Sequence, residues 1–228
     1  MSALYIEVVM LVTVTKLFII GNATVPSSWI ALVLAFIISY LAIRFRYGKR
    51  ISGVLADSLF YFVLVWKLSV ILTDFNNVIK TPLSIIYFNG GLIGFYLGLL
   101  AGMVTIVLEL KKNGLHMFDK QALFLGFITI QSIYQLLMVL MNEGPKTAEL
   151  VTSLMFTLIA IFIWISITKI ENAIIQLALL FAAGHLFTSL FQPSSYVNNA
   201  FFTTLLVTVF IIIFLGQRER DKLEGRYE

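Results

Sequence analysis

Residues 29–43 read WIALVLAFIISYLAI, residues 44–53 read RFRYGKRISG, and residues 54–73 read VLADSLFYFVLVWKLSVILT. Two long apolar runs joined by a short loop with four basic residues are the pattern of a membrane helical hairpin, because a ~30 Å hydrocarbon core needs roughly 20 mainly apolar residues to cross it. Working outward, similar runs occupy 91–108, 121–141, 150–168, 173–191 and 200–215. The expected fold is therefore all-α and integral to the membrane, with seven transmembrane helices in one domain over 29–216.

The distribution of Lys and Arg orients this bundle. Arg44, Arg46, Lys49, Arg50, Lys111, Lys112, Lys120, Lys169, Arg218, Arg220, Lys222 and Arg226 fall in alternate loops and the tail, against only Lys80 and Lys146 in the others. Cytoplasmic loops carry the excess of such residues, which places the C-terminus in the cytoplasm and, with seven spans, the N-terminus outside. The basic balance is thus a topology signal, and nucleic-acid binding is the weaker reading of it. A chain that is 60% hydrophobic and 12% charged would expose too much apolar surface as a soluble domain. Without cysteine there is no disulfide, thiolate metal site, Cys nucleophile or lipid-modified Cys.

Residues 1–28 lack the basic start of a signal peptide, and Glu7 and Lys16 interrupt their apolar run. They read as a retained interfacial segment or an eighth span. Asn22 begins a chance-level glycosylation triplet. Residues 217–228 form a charged cytoplasmic tail, read as solvated. The short loops leave no room for an extracellular domain.

Chemistry is then sought among polar groups inside the spans, where ionisable side chains are costly. Lys67, Gln135 and His185 each lie about six residues from the outer end of a span, roughly 9 Å deep at ~1.5 Å per residue, so they are expected to share a polar layer. Gln131 shares a helix face with Gln135, as Ser189 does with His185. The bland readings are a snorkelling Lys67, packing glutamines and a hydrogen-bonded histidine. Asp57 lies near enough to the first loop to pair with Arg50 or Lys49. Gly90, Gly94, Gly98 and Gly102 recur every four residues, a smooth stripe for close approach of a helix or a lipid chain, with Tyr96 off the stripe and its hydroxyl toward the outer interface. No metal motif, phosphate loop or nucleophile elbow is present, and no cofactor is expected.

Several segments, taken in order, carry a family resemblance. IIGNATVPSSWIALVLAFIISYLAIRFR (19–46), the stretch from Asp57 through Lys67 to Thr81-Pro82-Leu83, YFNGGLIG (87–94), GPKTAELVTSLMFTLIAIFIWISITK (144–169) and LALLFAAGHLFTSLFQPS (177–194) resemble successive landmarks of prolipoprotein diacylglyceryl transferase. That bacterial membrane enzyme moves a diacylglyceryl group from phosphatidylglycerol to a lipoprotein precursor thiol. The resemblance implies its fold, a bacterial plasma-membrane location, and phospholipid and lipoprotein partners.

The departures fall on the residues that carry that chemistry. The family's histidine before the glycine motif is answered by Asn89, or by Phe95 in the alternative alignment, and its second-span arginine by Lys67. Its Gly-Arg-x-Gly-Asn signature is answered by residues 131–135, QSIYQ, and its sixth-span Arg, Glu and Arg by His185, Ser189 and Gln192. Its extracytoplasmic insertion shrinks to MNEGPKT (141–147). Arginine's bidentate hold on phosphate is not reproduced by lysine, histidine or glutamine. The expected function is therefore non-catalytic, a pseudoenzyme binding phospholipid or a lipid-modified membrane partner through Lys67, Asn89, Gln131, Gln135, Tyr96 and Ser189. The runner-up is an active transferase with His185 as base and Lys67 on the phosphate. A small transporter with both residues along its path is the third reading.

Overall fold

A computed structural model describes residues 16–20, 23–81, 85, 89–170, 173–192 and 198–216. The elements follow the chain as β1 (Leu17–Ile20), β2 (Ala23–Pro26), α1 (Ser27–Tyr47), α2 (Lys49–Leu68) and the short α3 (Val70–Thr73) and α4 (Phe75–Lys80). They continue as α5 (Gly91–Asn113), α6 (Met117–Met141), α7 (Lys146–Ser166), α8 (Ala173–Ser189) and α9 (Asn199–Phe210), which a π-helical turn extends over Ile211–Leu215. Among the described residues, five helical stretches are long and apolar enough to cross a membrane: Ser27–Tyr47, Lys49–Thr73, Gly91–Asn113, Met117–Met141 and Lys146–Ser166. Ala173–Ser189 and Asn199–Leu215 are apolar but shorter.

The expected all-α architecture stands, with one addition. Part of the stretch read as an interfacial segment or an eighth span is a small antiparallel hairpin pairing Leu17 with Pro26 and Phe18 with Val25. Its strands are rich in β-branched residues, which favour extended backbone. Lys16 fastens the hairpin to the end of α6, its ammonium 3.3 Å from Glu143 Oε1 and its backbone N–H donating to Asn142 Oδ1 at 3.4 Å. Ser27 Oγ donates to the same Asn142 oxygen at 2.8 Å. Residues 1–15, Asn22, Pro82 and the tail at 217–228 lie outside the described residues.

α6 is the central helix. Two-thirds of its apolar window (67%) is buried by protein, against 22% for α5 and for α7. It packs on α1, α7, α2 and α8. Its α1 contact is made by Ser27, Ala31, Ala35, Ser39 and Ile43, a four-residue stripe with no exposed surface. Small side chains bring the two backbones close, and Ser39 Oγ donates to Gly126 O at 2.7 Å.

The glycine stripe of α5 lies against α2. A methyl group at Gly98 would sit 2.5 Å from the Phe62 carbonyl oxygen and 3.1 Å from Trp66 Cβ, and one at Gly102 would sit 3.1 Å from the Ser58 carbonyl oxygen. At Gly98 only glycine permits that approach, and the closeness is used for hydrogen bonds: Ser58 Oγ donates to Gly102 O at 3.0 Å and Trp66 Nε1 to Gly91 O at 3.2 Å. Between α1 and α2 the chain reverses at Gly48, whose φ of 88° lies in the region side-chain-bearing residues avoid.

The Asp57 pairing is corrected. Arg50 pairs with Asp119 in the first turn of α6, and Asp57 is exposed. Arg50 and Asp57 are seven residues apart on one helix, about 10 Å along its axis, which is too far for an ion pair. The α2–α6 packing supplies Asp119 instead, and Asp119 also accepts from the His116 backbone N–H at 3.0 Å in a capping box.

Candidate functional site

Of the polar residues expected to share a layer, the fold brings Gln135 and His185 together. His185, in α8, is 1% exposed. Its Nδ1 lies 2.8 Å from Thr204 Oγ1 of α9, and its Nε2 lies 3.5 Å from Gln135 Nε2 of α6. This geometry suits a ring whose Nδ1 carries hydrogen toward Thr204 while the Gln135 amide donates to Nε2. The edges of Phe156 and Phe201 close on the ring, with centroids at 5.1 and 5.7 Å. The imidazole thus links α6, α8 and α9 inside a packed interior.

Lys67 stands in a different setting, in the last turn of α2 and partly buried. Its ammonium is 5.8 Å from the centroid of the Trp29 ring, within cation–π range. Trp29 packs edge-on against Trp66 at 5.8 Å, and Trp66 meets Phe62 and Phe95 at 5.8 and 5.9 Å. The lysine therefore caps an aromatic cluster formed by α1, α2 and α5, and it is not among the partners of His185. Next to it, Asn89 Oδ1 accepts from the Gly91 N–H at 2.8 Å, shaping the turn into α5, and Gly90 N donates to Trp66 O at 3.2 Å.

The other expected residues have surroundings of their own. Tyr96 Oη reaches Asn199 O at 3.5 Å while its ring packs on Phe202 at 5.5 Å, joining α5 to α9. Ser189 Oγ donates to Leu186 O at 2.7 Å in the last turn of α8. Gln131 Nε2 and Ser132 Oγ are buried without a hydrogen-bond partner among the described residues. No cluster of three or more His, Asp or Glu side chains suited to a metal occurs among the described residues.

Sequence reasoning missed three contributors: Trp29 beneath Lys67, Thr204 on His185, and Asp119 on Arg50. Tryptophan near the end of an apolar run is a legible signal of a membrane-boundary position. The partnerships of Thr204 and Asp119 depend on which helices become neighbours.

Compared with family models, with curated proteins and with solved structures, the chain has no match. The fold and the site together define a helical membrane protein with multiple apolar spans, an aromatic-backed lysine at one helix end and a closed histidine interior.

Proposed function

We propose that the protein crosses a bacterial plasma membrane seven times, from an outer N-terminus to a cytoplasmic C-terminus, with the fold of prolipoprotein diacylglyceryl transferase. Its role is to bind a phospholipid such as phosphatidylglycerol, or a lipid-modified membrane partner, without turnover. Ala173–Ser189 has 17 residues, at the lower bound of span length, so the shorter helices are compatible with seven crossings.

The observation that carries the lipid reading is Lys67. A partly buried ammonium on the Trp29 face, at a helix end beside the Asn89 turn, offers a cation to a headgroup phosphate approaching laterally from the bilayer. Binding is favoured over transfer because His185 is enclosed by Phe156, Phe201, Thr204 and Gln135, which leaves no room for a reacting thiol at its nitrogens.

The test compares the wild type with Lys67→Met and Lys67→Arg. Methionine keeps the stem volume and removes the charge, so the fold is expected to persist while co-purifying anionic phospholipid falls; arginine is expected to retain it. Lipid extraction and mass spectrometry of the three proteins decide the matter. Equal phosphatidylglycerol in all three would remove the basis for the site. Incubation with phosphatidylglycerol and a lipoprotein precursor peptide is expected to give no transfer, and transfer abolished by His185→Ala would overturn the non-catalytic role.

A further inference from the structure

A second feature lies at the opposite end of the α1–α2 hairpin from Lys67. Between α6 and α7 runs a groove of about 330 Å³, lined by Thr129 and Ser132 on one side and by Phe156, Ala160, Ile161 and Trp164 on the other. It opens on the outer surface of the bundle, where Ile161 is 52% exposed. Its α7 wall extends from Phe156 to Ile165, about 13 Å along the helix axis. A single alkyl chain running along the membrane normal has the right shape.

One end of the groove carries a charge. Trp164 anchors its indole N–H on Thr129 Oγ1 at 3.1 Å, and the Arg46 guanidinium lies over the same indole, 5.0 Å from a Trp164 ring centroid. Arg46 Nη1 donates to Trp164 O at 3.1 Å. That bond uses one of the five guanidinium N–H groups. The side chain is exposed, and among the described residues no carboxylate pairs with it. Arg46 sits in the last turn of α1 and Trp164 in the last turn of α7, so an apolar slot ends in a cation at the membrane boundary. Guanidinium is the side chain best matched to a phosphate diester, which it grips through two parallel N–H bonds.

We propose that this groove holds one acyl chain of an anionic phospholipid from the leaflet on the Arg46 side, with the phosphate on Arg46. The glycerol region falls beside Trp164 and Thr129, and the chain passes Ser132 toward Phe156. This site is separate from Lys67 and stands or falls independently of it.

Purified protein in phosphatidylcholine nanodiscs would receive a minor share of phosphatidylglycerol bearing a diazirine on one acyl chain. A parallel sample would receive phosphatidylcholine with the same chain. After irradiation, peptide mapping is expected to place the phosphatidylglycerol label on residues 129–136 and 156–165, above the phosphatidylcholine label. Arg46→Gln is expected to lower the former roughly tenfold, as loss of a charge-assisted contact implies, and to make the two probes equal. Ala160→Phe, which fills the slot, is expected to abolish groove labelling by both probes, while Lys67→Met leaves it unchanged. Arg46 is exposed, so its variant keeps the test valid should Ala160→Phe fail to fold. Equal labelling by both probes in the wild type, unaltered by Arg46→Gln, would mean surrounding bulk lipid only and would overturn the proposal.

Discussion

Ser39 and Ser132 are both buried hydroxyls in the middle of membrane helices, and they differ in what they touch. Ser39 donates across the α1–α6 contact to Gly126 O, whereas Ser132 has no partner among the described residues. A made hydrogen bond contributes about 0.5 to 1.5 kcal/mol, while a buried donor left unmade costs about 1 to 3 kcal/mol. Ser39→Ala is therefore expected to lower the melting temperature in detergent, and Ser132→Ala to leave it unchanged or raise it. Equal losses from the two variants would contradict this division. Both serines look alike in sequence, since hydroxyl chemistry is visible there and the facing carbonyl is not. His185 and Lys67 were legible as candidates for the same reason, being polar atoms in apolar runs. Thr204 and Trp29, which define their surroundings, come from other segments.

At the scale of the element, two four-residue stripes build the bundle by the same physics. Gly90, Gly94, Gly98 and Gly102 bring α5 onto α2, and Ser27, Ala31, Ala35 and Ser39 bring α1 onto α6. The glycine stripe was legible because glycine is unusual in a helix interior. The serine and alanine stripe is not legible, because those residues are common in apolar helices. Gly98→Leu is expected to destabilise the protein by about 1 to 3 kcal/mol, since even its first carbon meets the Phe62 carbonyl oxygen at 2.5 Å. Thermal unfolding in detergent measures this, and an unaltered melting temperature would mean that α5 and α2 are not held at this distance.

For the whole molecule, the proposed topology rests on the asymmetry of basic residues between alternate loops. The native chain has no cysteine, so single cysteines can be introduced without background. In intact cells, cysteine at Lys49 or Lys112 is expected to be shielded from an impermeant thiol reagent, and cysteine at Asn77 or Lys146 to react. The reverse labelling would invert the molecule, and labelling of both sets would dissolve the model of alternate loops. The basic helix ends also carry tertiary bonds: Arg50 clasps Asp119, and Arg46 caps Trp164 O.

The sequence by itself determined the helical class, the approximate bounds of the long apolar helices and the glycine stripe. Each depends on local composition, on hydropathy summed over about twenty neighbouring residues or on a four-residue period. Tertiary structure decided that α6 lies at the centre, that Gln135 meets His185 while Lys67 rests on Trp29, and that Arg50 chooses Asp119 over Asp57. In a bilayer, apolar residues cover the outward faces as well as the packed ones, so hydropathy cannot tell which face meets which helix. Close backbone approach and matched hydrogen bonds make that choice, and they join residues far apart in the chain.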